Sequence, residues 1–180
     1  ESYCSAMEQC YMANCSPIAT HSFISQYILS KAVKNSGSKI IIGGDGGDEL
    51  FGGYEAYKEI SSNINNISDI CNPSPYSGFI SNELKFSNWK PDLLKENLTK
   101  KWNDALNIYS FEKSSHDKIL QAMLYCDLII QLESVGIRAV DIMSMMNSVE
   151  GRSPFIRKDI ISYALNLPIN MKIDEKYYDE

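Results

Sequence analysis

The sequence predicts an α/β chain, mostly helical, with one or two strands of a parallel sheet. Three observations carry that reading. Apolar residues recur at helical spacing in the first and last thirds. One short β-branched run, "KIIIGG", stops at two glycines. A loop rich in glycine and acid, "GGDGGDELFGGY" (residues 43–54), follows that run and precedes helical sequence.

The elements follow in order. Residues 17–36, "PIATHSFISQYILSKAVKNS", open at Pro17 and end before Gly37, with Ile24, Tyr27, Ile28 and Leu29 on one face. Lys31 and Lys34 fall in the closing turns, where cations suit the helix dipole. The length and glycine boundary of "KIIIGG" predict a fully buried, parallel strand. "DELFGGYEAYKEIS" reads as helical in its outer part. Residues 61–117 change character: "SSNINNISDICNPSPYSG" is a loop or variable connection, and "KPDLLKENLTKKW" predicts a short helix after Pro91. Trp89 and Trp102 read as packing residues. From 118 the helical period returns, with Ile119, Met123, Leu124, Leu128 and Gln131 on a face. It continues through Val140, Met143, Met146 and Val149 until Pro154, the methionines being flexible core filler. "RKDIISYALNLP" predicts a last helix that stops before Pro168. The chain thus divides into residues 1–60, a variable 61–117 and a helical 118–180.

Composition excludes several classes. The chain has 180 residues, 44% hydrophobic and 22% charged, as in a folded soluble protein. A formal charge of −6 argues against nucleic acid or an anionic membrane as the main partner. No apolar run approaches the ~20 residues of a membrane span, and the opening lacks the basic start of a signal peptide. Five cysteines are too few and too scattered for a disulfide scaffold; reduced thiols and a cytoplasmic location are expected. Cys4, Cys10, Cys15 and His21 have a loose metal-like order, but their spacing is wrong for a zinc knuckle.

The glycine loop lies at the carboxyl end of a strand, where open α/β sheets bind ligands. Its letters also fit the nonapeptide of calcium-binding β-rolls. Those need several stacked copies, however, and here one copy stands among helices.

Two separated stretches resemble one family. "GGDGGDELFGGY" resembles the SGEGxDELFGGY loop of asparagine synthetases, in their C-terminal ATP-pyrophosphatase domain. "VDIMSMMNSVEGRSPF" (140–155) is similar to that family's VDRMSMAxxxExRxPFLD segment. The resemblance covers residues 15–60 and 118–175. It implies a parallel-sheet, adenine-nucleotide-binding fold of the PP-loop type. It also implies use of ATP to adenylate a carboxylate, with aspartate the leading acceptor, and amidation by ammonia from a separate glutaminase domain.

Position by position, the resemblance sets Gly43 and Gly44 where the family's Ser-Gly contacts the nucleotide. Glycine amides can approach a nucleotide closely for want of a Cβ. Asp45 takes the place of the loop glutamate that receives a proton as ammonia attacks. Asp48 matches an aspartate that helps hold Mg²⁺ near pyrophosphate. Glu49 is either an acid supporting that metal or an acid of a first helical turn. Asp141, Ser144, Glu150 and Arg152 match in the second motif and are expected at the acceptor pocket. Arg152 clamps a carboxylate or phosphate, or else pairs with Glu150; Asp141 faces the acceptor, or else is an exposed helix acid.

The departures bear on the acceptor. Asp45 is one methylene shorter than the family's glutamate, Ile142 replaces an arginine, and Arg157 replaces an aspartate. They would suit a relative that amidates another carboxylate, such as a sugar acid, or a peptide cyclase of the same family. A binding remnant without chemistry is the third reading. The family's SGGxDS loop is absent from the sequence, and the chain starts with Glu1, so it is expected to be a distal fragment that does not turn over alone. Lys176 is a candidate for a lysine gripping pyrophosphate.

Overall fold

In a computed structural model, residues 3–15, 20–55, 57 and 91–173 are described. The chain forms two compact units, Glu1–Gly47 with Leu128–Ile161, and Asp48–Asp127 with Ser162–Glu180. The architecture is mostly helical with one small parallel sheet, as the sequence predicts.

The first unit begins with α1 (Tyr3–Asn14) and α2 (Ser22–Asn35). Helix α1 was not legible as an element: its buried positions, Ala6, Cys10 and Asn14, lie four residues apart but are small or polar. Helix α2 starts at Ser22, later than the proline boundary suggests; Pro17 lies outside the described residues. Strand β1 (Ile40–Ile42) follows and pairs in parallel with β2 (Glu150–Arg152). β1 is parallel as expected but not fully buried. Ile40 is 45% and Ile42 71% exposed, because two strands with one helix-covered face leave the remaining face bare among the described residues.

Helical sequence does not run unbroken to Pro154. Helix α6 (Arg138–Met145) ends where Asn147 turns inward and Ser148 adopts φ 57°, and the next residues pair as β2. Helices α1, α2 and α6 share a core of Ala6, Cys10, Phe23, Ile24, Tyr27, Ala139 and Met143, onto which Ile142 and Met146 pack. A buried polar cluster pins α6 to α2. Ser30 Oγ donates to Met143 O at 3.0 Å, and Asn147 Nδ2 donates to Ser30 Oγ at 3.1 Å and to Tyr27 O at 3.3 Å. Buried polar groups persist when satisfied in this way.

The second unit opens within α3 (Gly47–Phe51). That helix begins at the acids themselves and ends at Gly52, so the expected outer helix is interrupted. Residues 58–90 lie outside the described residues, Trp89 and most of the variable connection among them. Helix α4 (Pro91–Ile108) starts at the expected proline but is longer than expected. Helix α5 (Ser115–Cys126) is capped by Ser114, whose side chain accepts from Asp117 N at 3.3 Å. It runs into a π-helical segment, Asp127–Ile137. Helix α7 (Lys158–Leu165) ends before Pro168 as predicted. The core of this unit joins Tyr57, Ile119, Leu120, Met123, Leu124, Ile169 and Ile173, with Trp102 packed on it as expected.

Candidate functional site

The parallel register Ile40↔Glu150, Ile41↔Gly151, Ile42↔Arg152 decides what the first unit presents. Parallel strands end side by side, so the residues after Ile42 and after Arg152 emerge together. Gly43 N donates to Arg152 O at 2.8 Å, extending the ladder one residue beyond β1. The two sequence motifs, about a hundred residues apart, therefore meet at the carboxyl ends of the strands.

The loop then turns sharply: Gly47 N donates to Gly44 O at 3.0 Å. Gly46 has φ +89°, and a Cβ there would lie 2.8 Å from Ile156 Cγ2, so the loop rests against the 3-10 turn Pro154–Ile156. Only glycine combines that φ with that approach. Gly44 is different. It is exposed, its φ is not positive, and nothing lies within 4 Å of a Cβ placed on it among the described residues.

Asp45 is half-buried, and its Oδ2 accepts from Ser153 Oγ at 3.0 Å. The same oxygen fills the space a side chain on Gly43 would need. Ser153 was not singled out in the sequence; the motif leaves its position open, and only the strand register shows that it faces Asp45. Asp48 is exposed, in the first turn of α3, and its backbone oxygen accepts from Gly52 N at 2.8 Å and Gly53 N at 3.1 Å.

The second-motif residues separate. Glu150 and Arg152 alternate on β2, both exposed, and Arg152 Nε donates to Glu150 Oε1 at 3.0 Å. Ser144 is fully buried, its hydroxyl donating back to Val140 O, and it packs with Val140 against Gly151. Asp141 is exposed on α6. Of the departures, Ile142 is absorbed into the core of the first unit, while Arg157 pairs through Nε and Nη2 with Asp159 at 3.1 and 2.9 Å.

In the second unit, Glu49 is buried and accepts from Tyr54 OH at 2.8 Å. Tyr57 donates to Asp127, which is buried and whose carboxyl is pushed up to about 7, chiefly by burial and further by the Glu49 charge, against the lowering effect of the Tyr57 hydrogen bond. The same desolvation, with those carboxylates, raises both tyrosine hydroxyls above their usual range.

Among the described residues no three His, Cys, Asp or Glu side chains gather as a metal site. Cys10 is buried in α1 and donates to Phe23 O at 3.8 Å. No helix among the described residues is long and apolar enough to cross a membrane. Lys176 lies outside the described residues.

Comparison with known proteins agrees with the two motifs. The family model described as asparagine synthase matches residues 2–178. The chain is 26% identical over 185 residues to asparagine synthetase (glutamine-hydrolyzing) 1 of Bacillus subtilis (strain 168), covering 87% of this chain and 29% of that protein. It is 26% identical over 149 residues to the protein provisionally named asparagine synthetase (glutamine-hydrolyzing) 1 of Methanocaldococcus jannaschii, covering 83% of this chain and 18% of that one. The chain thus spans less than a third of the length of these curated relatives. No solved structure matches it. With a family model covering nearly all of its residues and both motifs meeting at one sheet end, the chain belongs to the asparagine synthase family.

Proposed function

We propose that this chain is the part of an ATP-dependent ligase that adenylates a carboxylate, with aspartate the leading acceptor, and amidates it with ammonia. The fold is read as the distal part of a PP-loop-type nucleotide domain. The sequence divisions 1–60, 61–117 and 118–180 belong to this reading, as does a glutaminase domain as the ammonia source.

The observation that carries it is Gly44. Among the described residues nothing demands glycine there: φ is not positive, and no atom lies within 4 Å of a Cβ placed on it. A bare Cα at the carboxyl end of a parallel strand is explained by the close approach of a ligand, and a nucleotide fits family and position. Gly43 keeps the neighbouring space clear for Asp45. Asp45, close to the sheet end and hydrogen-bonded, is suited to take the proton that ammonia's nitrogen loses.

Magnesium at a nucleotide is held by one or two carboxylates together with phosphate oxygens, not by an all-protein cage. Asp48, an exposed carboxylate three residues from Asp45 in the sequence, fits that donor set. Bound there, Mg²⁺ would neutralise the charge on departing pyrophosphate. Arg152, with Glu150, stands one residue before Ser153 and is assigned to orienting an anionic group. Asp141 is assigned to the acceptor side. Ser144 supports both from within, by packing α6 on β2.

The test is ATP–pyrophosphate exchange by the full-length protein. Exchange that requires aspartate supports the reading. Exchange with a different acid in a carboxylate panel keeps the chemistry and changes the acceptor. No exchange with any acid leaves a binding remnant.

A further inference from the structure

Within the first unit Asp45 is held by one hydrogen bond and occupies space that Gly43 leaves clear. Ser153 Oγ donates to its Oδ2 at 3.0 Å, and that oxygen lies folded back over the Cα of Gly43. Both partners are fixed by backbone. Gly43 follows β1 and is bonded through its N to Arg152 O; Ser153 follows β2 directly. The register of the sheet therefore sets the backbone positions from which the Ser153 hydroxyl meets the carboxylate.

The three residues make sense only together. In the motif SGEGxDELFGGY the first position is serine and the acid is glutamate; here they are glycine and aspartate. A side chain at 43 would overlap Asp45 Oδ2 in this position. Clearing residue 43 lets the shorter acid fold back, and the hydroxyl it meets comes from Ser153, just past the neighbouring strand, at a position the ExRxPF pattern leaves open.

We propose that Ser153 is a positioning residue for Asp45, with Gly43 as the cleared space that makes the pairing possible. The proposal rests on the amidation reading. In that reaction the ammonia nitrogen forms the C–N bond at the acyl carbon of the acyl-adenylate. The nitrogen gives one proton to the Asp45 carboxylate, and the C–O bond to the AMP phosphate breaks, its electron pair leaving with AMP. Ser153 touches neither reactant. It fixes which carboxylate oxygen is occupied and so orients the other, and general-base catalysis is sensitive to such placement.

The test uses the full-length protein as wild type, Ser153→Ala, Ser153→Thr and Gly43→Ala. Crystal structures report the Asp45 rotamer, and kinetics compare ATP–pyrophosphate exchange with amide formation from aspartate and ammonium chloride. In Ser153→Ala and Gly43→Ala the Asp45 carboxylate is expected to leave its place over residue 43. Amide formation should fall about tenfold relative to exchange, in kcat and not in the KM for aspartate. Ser153→Thr, which keeps the hydroxyl, should restore both. An Asp45 side chain that stays in place in Ser153→Ala, or an unchanged ratio of amide formation to exchange, overturns the proposal. Wild type inert with every acid tested overturns the amidation reading and the pair's part in it. The rotamer comparison still decides separately whether Ser153 positions Asp45.

Discussion

Tyr57 donates its hydroxyl to Asp127 across 70 residues of sequence, and the other oxygen of that carboxyl, Oδ1, is buried with no hydrogen-bond partner among the described residues. A half-satisfied buried carboxyl is costly when ionised. Folded Asp127 keeps its proton to about pH 7, while its ordinary value is 3.8. Between those values the native state binds more protons than the unfolded one. This contribution is therefore fully present below pH 3.8 and is lost as pH rises through about 7. Asp127→Asn retains an acceptor for Tyr57 and cannot ionise. Its stability relative to wild type, from urea unfolding, should rise between pH 4 and pH 7.5 by up to roughly 4 kcal/mol.

Lys172 in the same unit is only 6% exposed, and its Nζ donates to Gln121 Oε1 at 2.8 Å. Burial lowers its ammonium to about 8, against the opposing effect of the Glu112 charge. Gln121→Leu leaves the cation without that acceptor and should cost about 2–3 kcal/mol at pH 7. Without its acceptor the folded ammonium loses its proton at lower pH than in wild type, so the charge-dependent part of the penalty should shrink as pH rises toward about 8 and be gone above it. The double substitution Gln121→Leu with Lys172→Met should recover much of the loss. Unfolding midpoints at pH 7 and 9.5 check both points.

Gly44 and Gly46 separate fold from ligand. Gly46→Ala meets a φ of +89° and Ile156, so it should lower stability by about 1–3 kcal/mol. Gly44→Ala meets nothing within 4 Å among the described residues and should melt within about 0.5 kcal/mol of wild type. Its affinity for ATP, by calorimetry, should nonetheless fall about tenfold or more, the effect of a methyl group where a nucleotide approaches. Unchanged ATP affinity in Gly44→Ala would remove the observation on which the nucleotide assignment rests.

Asp48→Asn keeps the shape of α3 and loses the charge. The Mg²⁺ concentration giving half-maximal exchange should rise about tenfold, with little change in melting temperature. An unaltered magnesium requirement would take Asp48 out of the metal site.

What was legible in the sequence has a physical pattern. "KIIIGG" declares a strand and its end because branched residues and glycines act locally, and Pro91 and Pro168 mark helix boundaries for the same reason. Strand β2 was not legible: Glu-Gly-Arg has no strand propensity and becomes a strand only by pairing with β1. Helix α1 buries Ala6, Cys10 and Asn14, which give no apolar stripe. At the site, the motifs named the acids and glycines, but their meeting depends on the parallel register. The Ser153–Asp45 bond likewise exists only because two strands end together.

The most direct measurement is the fate of oxygen. The full-length protein would be given aspartate labelled with ¹⁸O in its carboxylates, together with ATP, Mg²⁺ and ammonia, and the products analysed by mass spectrometry. Adenylation of the carboxylate predicts one ¹⁸O in AMP for each asparagine formed, with pyrophosphate unlabelled. Label in inorganic phosphate with ADP as co-product, or unlabelled AMP, would contradict the account.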